Sequence, residues 1–405
     1  MLYREMPKNG DNLSILGFGC MRLPVHKDGS IDQERAIRQI RSAIDRGVNY
    51  VDTAWPYHGG QSEPLLAKAL RNGYREKVKV ATKLPCWLIA TRQDMDRYLD
   101  AQLEKLETGC IDYYLLHGLN GTSWDTLARL GATDFLDAAL ADGRIGNAGF
   151  SFHGLQDDFK RIVDAYPWAF CQIQYNYLDQ QYQAGTDGLE YAAARGLGVI
   201  IMEPLRGGNI GLPEAPPAVA QIWQQANIQR TPVAWALRWV WNHPEVTVVL
   251  SGMNEEAHIE ENLAIADKAL PGSLTQAECD LVDAAARKYK ELMKVGCTGC
   301  GYCMPCPEGV MIPGAFELFN KRHLFGEAEK TKFSYALRMS GGLSGTEPGF
   351  ASQCVACGEC LAKCPQSLEI PDLLAGVVEE MEDDQLAERL ALAKKRFTIE
   401  PDERE

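Results

Sequence analysis

Along the first 270 residues, short apolar runs alternate with longer stretches in which apolar side chains return every three or four positions. The short runs read as strands buried on both faces: Ile15–Gly19, Tyr50–Ala54, Val78–Lys83, Ile111–His117, Gly146–Ser151, Phe170–Asn176, Val199–Pro204 and Val246–Gly252. Between them, Asp32–Arg46, Ser62–Arg71, Thr91–Leu106 and Thr133–Asp142 read as amphipathic helices, with Gly47, Gly73 and Gly196 placed where a left-handed residue ends a helix. Eight strands each followed by a helix is the count of a (β/α)8 TIM barrel, an α/β fold. A doubly wound sheet is the alternative, but no G-x-G-x-x-G opens a helix after the first strand. Ahead of that strand, Leu2–Ser14 carries Asn9-Gly10, a hairpin-turn signal, and is expected to plug the barrel bottom.

The alternation stops near residue 270. Pro271-Gly272-Ser273 closes the barrel, and Leu281, Ala284, Ala285, Tyr289 and Leu292 recur at helical spacing within Thr275–Val295. The expected domains are a barrel over 1–270, a linker helix over 271–295, a small module over 296–375 and an acidic helical tail over 376–405. The tail holds ten acidic and five basic side chains and reads as a solvated helix.

Cysteine usage changes the picture most. Of thirteen cysteines, eight fall in two runs: Cys297-Thr-Gly-Cys300-Gly-Tyr-Cys303-Met-Pro-Cys306-Pro307 and Cys354-Val-Ala-Cys357-Gly-Glu-Cys360-Leu-Ala-Lys-Cys364-Pro365. The second has the C-x2-C-x2-C-x3-C-P spacing of bacterial [4Fe–4S] ferredoxins; the first is one residue short in its last gap. Paired zinc ribbons fit four cysteines in so few residues poorly, and disulfide frameworks belong to short secreted chains. Two [4Fe–4S] clusters are therefore expected. In two-cluster ferredoxins the fourth cysteine of each run ligates the other cluster. That rule puts Cys297, Cys300, Cys303 and Cys364 on one cubane, and Cys354, Cys357, Cys360 and Cys306 on the other. The gap from Pro307 to Gln353 is long and carries helical patterns at Gly314–Lys321 and Lys332–Arg338, so the module reads as a mostly helical ferredoxin-like iron–sulfur domain. Cys20, Cys86, Cys110, Cys171 and Cys279 are scattered and read as structural thiols.

A formal charge of −14 argues against nucleic acid or an anionic membrane as partner. No apolar stretch approaches a membrane span and the N-terminus has no apolar targeting region, so a reducing cytoplasm is the expected location.

Barrel chemistry gathers at the C-terminal ends of strands. Here those ends read Asp52-Thr-Ala-Trp-Pro-Tyr57, Ala81-Thr-Lys83 and Leu115-Leu-His117. Singly, Asp52 could cap a helix, Tyr57 could pack, Lys83 could be solvated and His117 could sit in the core. Together at successive strand ends they suit carbonyl reduction, where oxygen gains negative charge and needs a proton. A free tyrosine, with a pKa of about 10, is a weak acid at neutral pH. A neighbouring Lys83 would stabilise its phenolate, Asp52 would hold Lys83, and His117 would hydrogen-bond the carbonyl oxygen.

Asp52-Thr-Ala-x-x-Tyr57, Thr82-Lys83, His117, Gly149-Phe-Ser151, Gln172-Ile-Gln-Tyr-Asn176 and Glu261-Asn262 resemble the aldo-keto reductase superfamily over roughly residues 1–270. The whole chain resembles the branch with a C-terminal ferredoxin-type module. The resemblance implies NAD(P)H-dependent oxidoreductase chemistry, with Asp52, Tyr57, Lys83 and His117 in the catalytic positions and NADP(H) or NAD(H) as cofactor. It implies carboxamide contacts from Ser151 and Gln172, and cofactor contacts from Asp52 and from Gly19, Met21 and Arg22 in the first-strand loop. Met202 and Pro204 precede Leu205-Arg206-Gly207-Gly208, which matches a loop over the pyrophosphate where Arg206 could pair with phosphate. Glu261 and Asn262 match adenine contacts. Three departures stand out. Met202 replaces a tyrosine that often stacks on nicotinamide, and Phe152 replaces an asparagine. The loop Gly252-Met253-Asn254, followed by Glu255 and Glu256, replaces a cationic 2′-phosphate site, leaving His258 as the matching base.

The expected function is NAD(P)H-dependent reduction of an aldehyde or ketone, or the reverse, on a small carbonyl or alcohol substrate, with the clusters serving electron transfer or structure. The alternative is an electron-transfer or interaction subunit whose clusters pass electrons to a redox partner protein. Trp55, Pro56, His58, Cys86, Trp87 and Trp124 are expected near the mouth and suggest an apolar, aromatic-friendly pocket.

Overall fold

Eight parallel strands close on themselves in the computed structural model, which describes residues 1–26, 28–341 and 347–397, with backbone alone for 393–397. Ahead of them, β1 (Tyr3–Glu5) and β2 (Asn12–Ser14) form an antiparallel hairpin. The barrel strands are β3 (Leu16–Gly19), β4 (Tyr50–Asp52), β5 (Lys79–Leu84), β6 (Ile111–Leu119), β7 (Ile145–Phe152), β8 (Phe170–Gln174), β9 (Gly198–Met202) and β10 (Val246–Ser251), each beside its sequence neighbours, with β10 pairing β3. In chain order the first ten helices are α1 (Gln33–Asp45), α2 (Ser62–Leu70), α3 (Arg92–Lys105), α4 (Gly121–Arg129), α5 (Ala132–Ala141), α6 (Gln156–Asp164), α7 (Gly185–Ala194), α8 (Pro217–Trp223), α9 (Pro232–Trp241) and α10 (Glu256–Ala266). None is long and apolar enough to cross a membrane, among the described residues.

Local sequence explains the helix starts. Asp32 accepts from the Arg35 amide ahead of α1, and Thr91–Asp94 and Asn120–Ser123 close reciprocal capping boxes on α3 and α4. The strands are buried almost throughout, as expected where helices cover the outer face.

Inside the barrel, Tyr50, Tyr113 and Phe170 meet edge to face at 5.4 and 5.1 Å, joined by Met6, Leu13, Ile200 and Val248. Met6 comes from the hairpin, so that segment fills the barrel interior. Its connection is longer than the two residues that Asn9-Gly10 implies: the Gly10 amide donates to Met6 O and the Met6 amide to Asp11 O. Asn9 instead reaches the Tyr113 hydroxyl (3.0 Å) and Asn147 (2.9 Å).

The chain forms two compact units, Met1–Arg206 with Arg230–Val282, and Gly207–Gln229 with Asp283–Glu405. Helix α11 (Gln276–Leu292) runs across the division. The second unit contains α8, α12 (Ile312–Phe325), α13 (Ala328–Met339), α14 (Ile370–Met381) and α15 (Leu386–Phe397), and no strand among its described residues. Its core joins Val310, Phe316, Phe319, Tyr335, Met339, Leu374, Val377 and Met381.

Two expectations change here. The boundary at residue 375 falls inside α14, and Val377 and Met381 beyond it are fully buried in that core. Arg389 on α15 is also buried, donating to Glu329 (2.8 Å) and to Asp383. The described part of the tail is therefore packed structure, with Glu380, Asp383 and Arg389 in ion pairs; residues 398–405 lie outside the described residues. The segment Gly207–Gln229, read as part of the barrel, groups with the second unit.

Candidate functional site

Strands β4 and β5 are neighbours, with Asp52 paired in register to Ala81. Lys83, two residues on, points the same way as Ala81 because side chains alternate along a strand. Lys83 Nζ donates to both Asp52 oxygens (2.7 and 2.8 Å) and to Thr53 O (2.8 Å). Lys83 is 1% and Asp52 3% exposed. Burial raises the Asp52 carboxyl above its usual range, and Lys83 pulls it back. A buried pair of this kind persists when each charge is met by good hydrogen bonds, as here.

Tyr57 sits on the short 3-10 turn Tyr57–Gly60, and its ring lies 5.1 Å from Lys83 Nζ. The His117 ring on β6 stands edge-on to it at 6.2 Å. Burial above all, with Lys83 and then His153 adding to it, pushes the His117 imidazole well below its ordinary range, so it is neutral. The structure thus brings all four mouth residues into one cluster.

The cofactor candidates divide. Ser151 Oγ accepts from the Gly118 amide (2.7 Å), which leaves its own proton to donate. Gln172 Nε2 lies 3.6 Å from Met202 Sδ, while its buried Oε1 has no partner among the described residues. An orphaned buried acceptor beside a hydroxyl fits a carboxamide, which offers one donor group and one acceptor. Arg22 approaches Glu203 at 3.6 Å, linking the first-strand loop to the segment that follows Met202 at the end of β9 and carries buried Pro204 and Leu205. Glu203 and Arg206 both adopt positive φ (55° and 50°), a strained pair at the end of β9. Arg206 pairs with buried Asp179 (3.2 Å), itself held by Gln174 (2.8 Å) and Asn176 (2.9 Å). Gly208 falls in the second unit.

Around β10, a Cβ on Gly19 would stand 3.5 Å from Ser251 O, and one on Gly252 3.1 Å from Arg22 Cβ. Asn262 donates to Ser251 Oγ (2.9 Å), Glu261 accepts from Thr231 (2.6 Å), and Gln39 donates to Asn254 O (3.2 Å). His258 is exposed. Met253, expected among the contacts, is buried (1% exposed).

Sequence reasoning passed over several residues. Arg35 on α1 holds both acidic neighbours of this loop, with Nη2 at 2.5 Å from Glu255 and from Glu256. Those hydrogen bonds bring the Glu256 carboxyl down to about 2. Behind Lys83, fully buried Glu63 accepts from Thr82 (2.7 Å) and Gln102 (2.6 Å), and Gln102 also donates to Lys83 O (3.0 Å). His58, already expected near the mouth, accepts from the Leu23 amide at Nε2 (3.2 Å). His153 bonds Gln183 (3.1 Å), and burial lowers it to about 4. Helix periodicity hides such residues, because a polar side chain on a helix reads as solvated until a strand end lies beneath it. Of the expected mouth residues, Trp87 is exposed and tilts over His117 at 5.2 Å. Cys86 is buried, its sulfur accepting from the His117 amide (3.1 Å). Lys105 lies over the Trp55 ring (3.3 Å). Trp124 is buried on α4 against Trp168 and does not face a mouth.

In the second unit, Cys297, Cys300, Cys303 and Cys364 line one recess. Cys306, Cys354, Cys357 and Cys360 line another, which Cys303 also borders. The two runs share a backbone device. The residues on either side of the second cysteine are left-handed in both: Gly299 and Gly301 (φ 66° and 78°), and Ala356 and Gly358 (φ 54° and 78°). Such turns wrap a short loop around an anionic group. Burial pushes the Cys303 thiol up to about 12, with Cys300, Cys297 and Cys364 adding to it. Ionised sulfurs so grouped need cations between them, which iron provides. Among the described residues no three Cys, His, Asp or Glu side chains form a single-ion site, whereas a cubane takes each thiolate at a separate corner.

Comparison with known proteins agrees with both units. Residues 15–286 match the aldo/keto reductase family, and residues 296–368 match a 4Fe-4S dicluster domain. Relatives include a probable aldo-keto reductase 1 of Glycine max, 25% identical over 64% of this chain and 82% of its own length. Another is an L-galactose dehydrogenase of Arabidopsis thaliana, 25% identical over 71% and 95%. Among solved structures, an aldo-keto reductase of Bacillus halodurans in holo form has a TM-score of 0.59 at 22% identity, covering 70% of this chain and 96% of its own. An aldo-keto reductase of Klebsiella pneumoniae in complex with NADPH has 0.56 at 22%, covering 70% and 95%. With its closed barrel, its family match over two thirds of its length and its dicluster region behind, the chain belongs to the aldo/keto reductase family and is an oxidoreductase carrying a C-terminal 4Fe-4S domain.

Proposed function

We propose that the barrel interconverts a small carbonyl compound and its alcohol with a nicotinamide cofactor, in the cytoplasm, with Tyr57 as proton donor. The observation that carries this is the buried Lys83–Asp52 pair beneath the Tyr57 ring. When bound, the nicotinamide supplies the hydride. Ser151 and Gln172 hold its carboxamide, fixing which ring face meets the substrate. Neutral His117 donates a hydrogen bond to the substrate oxygen, aligning it with Tyr57. As negative charge grows on that oxygen, Tyr57 gives up its proton, and the Lys83 ammonium, kept in place by Asp52 and Thr53 O, stabilises the phenolate. The exposed Trp87 ring beside His117 offers an apolar face to the substrate.

Arg35 supports NADH rather than NADPH. The loop Gly252-Met253-Asn254 ends in two carboxylates that already occupy this guanidinium, so a 2′-phosphate would have to compete with them for Arg35. The cysteines are proposed to hold two [4Fe–4S] clusters in the sets that line the two recesses. Cys357 is exposed, as is Val355 (63%), which supports electron exchange with a redox partner protein at the second cluster. The test is NADH and NADPH oxidation by anaerobically purified protein over a series of aldehydes and ketones, with Tyr57→Phe as control. Turnover that survives in Tyr57→Phe refutes the reading.

A further inference from the structure

After β9 the chain passes through Arg206 into the segment Gly207–Gln229, which shares a compact unit with both cysteine runs. Its first residues are fastened to the first cysteine loop. Asn209 Nδ2 donates to the carbonyl oxygen of Cys297 (2.9 Å). Gly207 lies so close to the next residue that a Cβ there would stand 1.8 Å from Thr298 O, and its φ is 70°. Thr298 is 2% exposed. Two backbones therefore touch with no side chain between them, and only glycine satisfies both the contact and the dihedral at 207.

Cys297 and Thr298 open the loop that lines the recess of Cys297, Cys300, Cys303 and Cys364. Gly207 and Gly208 belong to the loop assigned above, by resemblance, to the cofactor pyrophosphate. We propose that Gly207–Asn209 couples the two: iron ligation by Cys297 and Cys300 fixes the Thr298 carbonyl between them, and that carbonyl, with the Asn209 bond, fixes the backbone the pyrophosphate must approach. Nucleotide affinity then depends on an intact first cluster. Linkage requires the reverse as well, so bound nucleotide helps retain the iron. The inference rests on the proposed cofactor and cluster assignments.

The experiment titrates NADH and NADPH into anaerobic holoprotein by quenching of tryptophan fluorescence, and follows iron release to a chelator by absorbance. The variants are Asn209→Ala and Gly207→Ala. Asn209→Ala deletes one hydrogen bond and is expected to weaken the preferred nucleotide about fivefold with iron content unchanged. Saturating nucleotide is expected to slow iron release from the wild type, and to slow it less from Asn209→Ala. Gly207→Ala is expected to weaken binding further, or to lose iron and nucleotide affinity together. An Asn209→Ala holoprotein with the wild-type Kd, and iron release indifferent to nucleotide, overturns the coupling while leaving the proposed function standing. Absence of quenching by either nucleotide in the wild type instead overturns the cofactor reading, and the coupling with it.

Discussion

In the barrel unit the mouth residues come from positions 52, 57, 83 and 117, three strand ends and a turn, whereas in the second unit eight thiols come from two runs, 297–306 and 354–364. The mouth is built by long-range pairing. Its charges are placed by a closed hydrogen-bonded barrel whose interior is filled by Tyr50, Tyr113, Phe170 and Met6. The thiols are placed by local backbone turns, and the helices around them supply a separate core. That core reaches well past the cysteine runs, because α14 buries Leu374, Val377 and Met381 in it. A site made by a barrel should keep its shape without its ligand. A site made by loops should lose shape when the metal leaves, while the helical core persists.

The sharpest way to test the contrast is to disable each site in turn. Tyr57→Phe is expected to lower carbonyl reduction by about 10²–10⁴-fold, the usual contribution of a general acid. Nucleotide titration should show Kd within about twofold of wild type, since the hydroxyl acts only in the chemical step.

Lys83→Met should do structural damage as well. It leaves Asp52 buried and uncompensated, which costs about 3–5 kcal/mol. Urea denaturation read by the barrel tryptophans, Trp168, Trp235 and Trp241, measures it, and Lys83→Met with Asp52→Leu should recover much of the loss. No recovery would place the pair's importance elsewhere.

Cys357→Ser probes the loop-built site. Iron analysis should fall from about eight to about four per chain, with the barrel transition unmoved. A matching loss of barrel stability would erase the proposed difference between the two regions. Replacing Glu255 and Glu256 together by Gln releases Arg35, and is expected to improve NADPH affinity relative to NADH about tenfold.

The smallest effect is the pH dependence of the barrel. Burial depresses His153 to about 4 and His117 in the same direction. Unfolded histidine titrates near 6.5. Below that value the unfolded chain binds protons that the folded barrel refuses, so stability is present above about pH 6.5 and is lost as pH falls toward 4. His153→Gln should flatten the fall, measured as the urea midpoint between pH 4 and 7.

Much of this molecule was legible along the chain because its signals are local. Apolar runs at regular spacing predict eight strands and all eight form, since a strand covered on both faces must be apolar whatever its neighbours. The cysteine spacing predicts two groups of thiols, and the recesses group them with Cys306 and Cys364 exchanged, because ligand reach within a ten-residue run is set by chain geometry. What sequence could not reveal depends on distant segments meeting. Arg35 reaches Glu255 and Glu256 only because β10 closes against β3 and brings α10 beside α1. Glu63 reads as a helix-surface carboxylate until α2 and α3 place it and Gln102 behind Lys83. Trp124 reads as a mouth residue and Met253 as a cofactor-loop residue until packing buries both. Gly207 reads as part of the loop matched to the pyrophosphate; the approach of Thr298, 91 residues away in the sequence, is a second constraint that the chain alone does not show. Periodicity and spacing are properties of one segment, so the chain alone determines them, whereas burial and pairing are properties of two, and folding decides those.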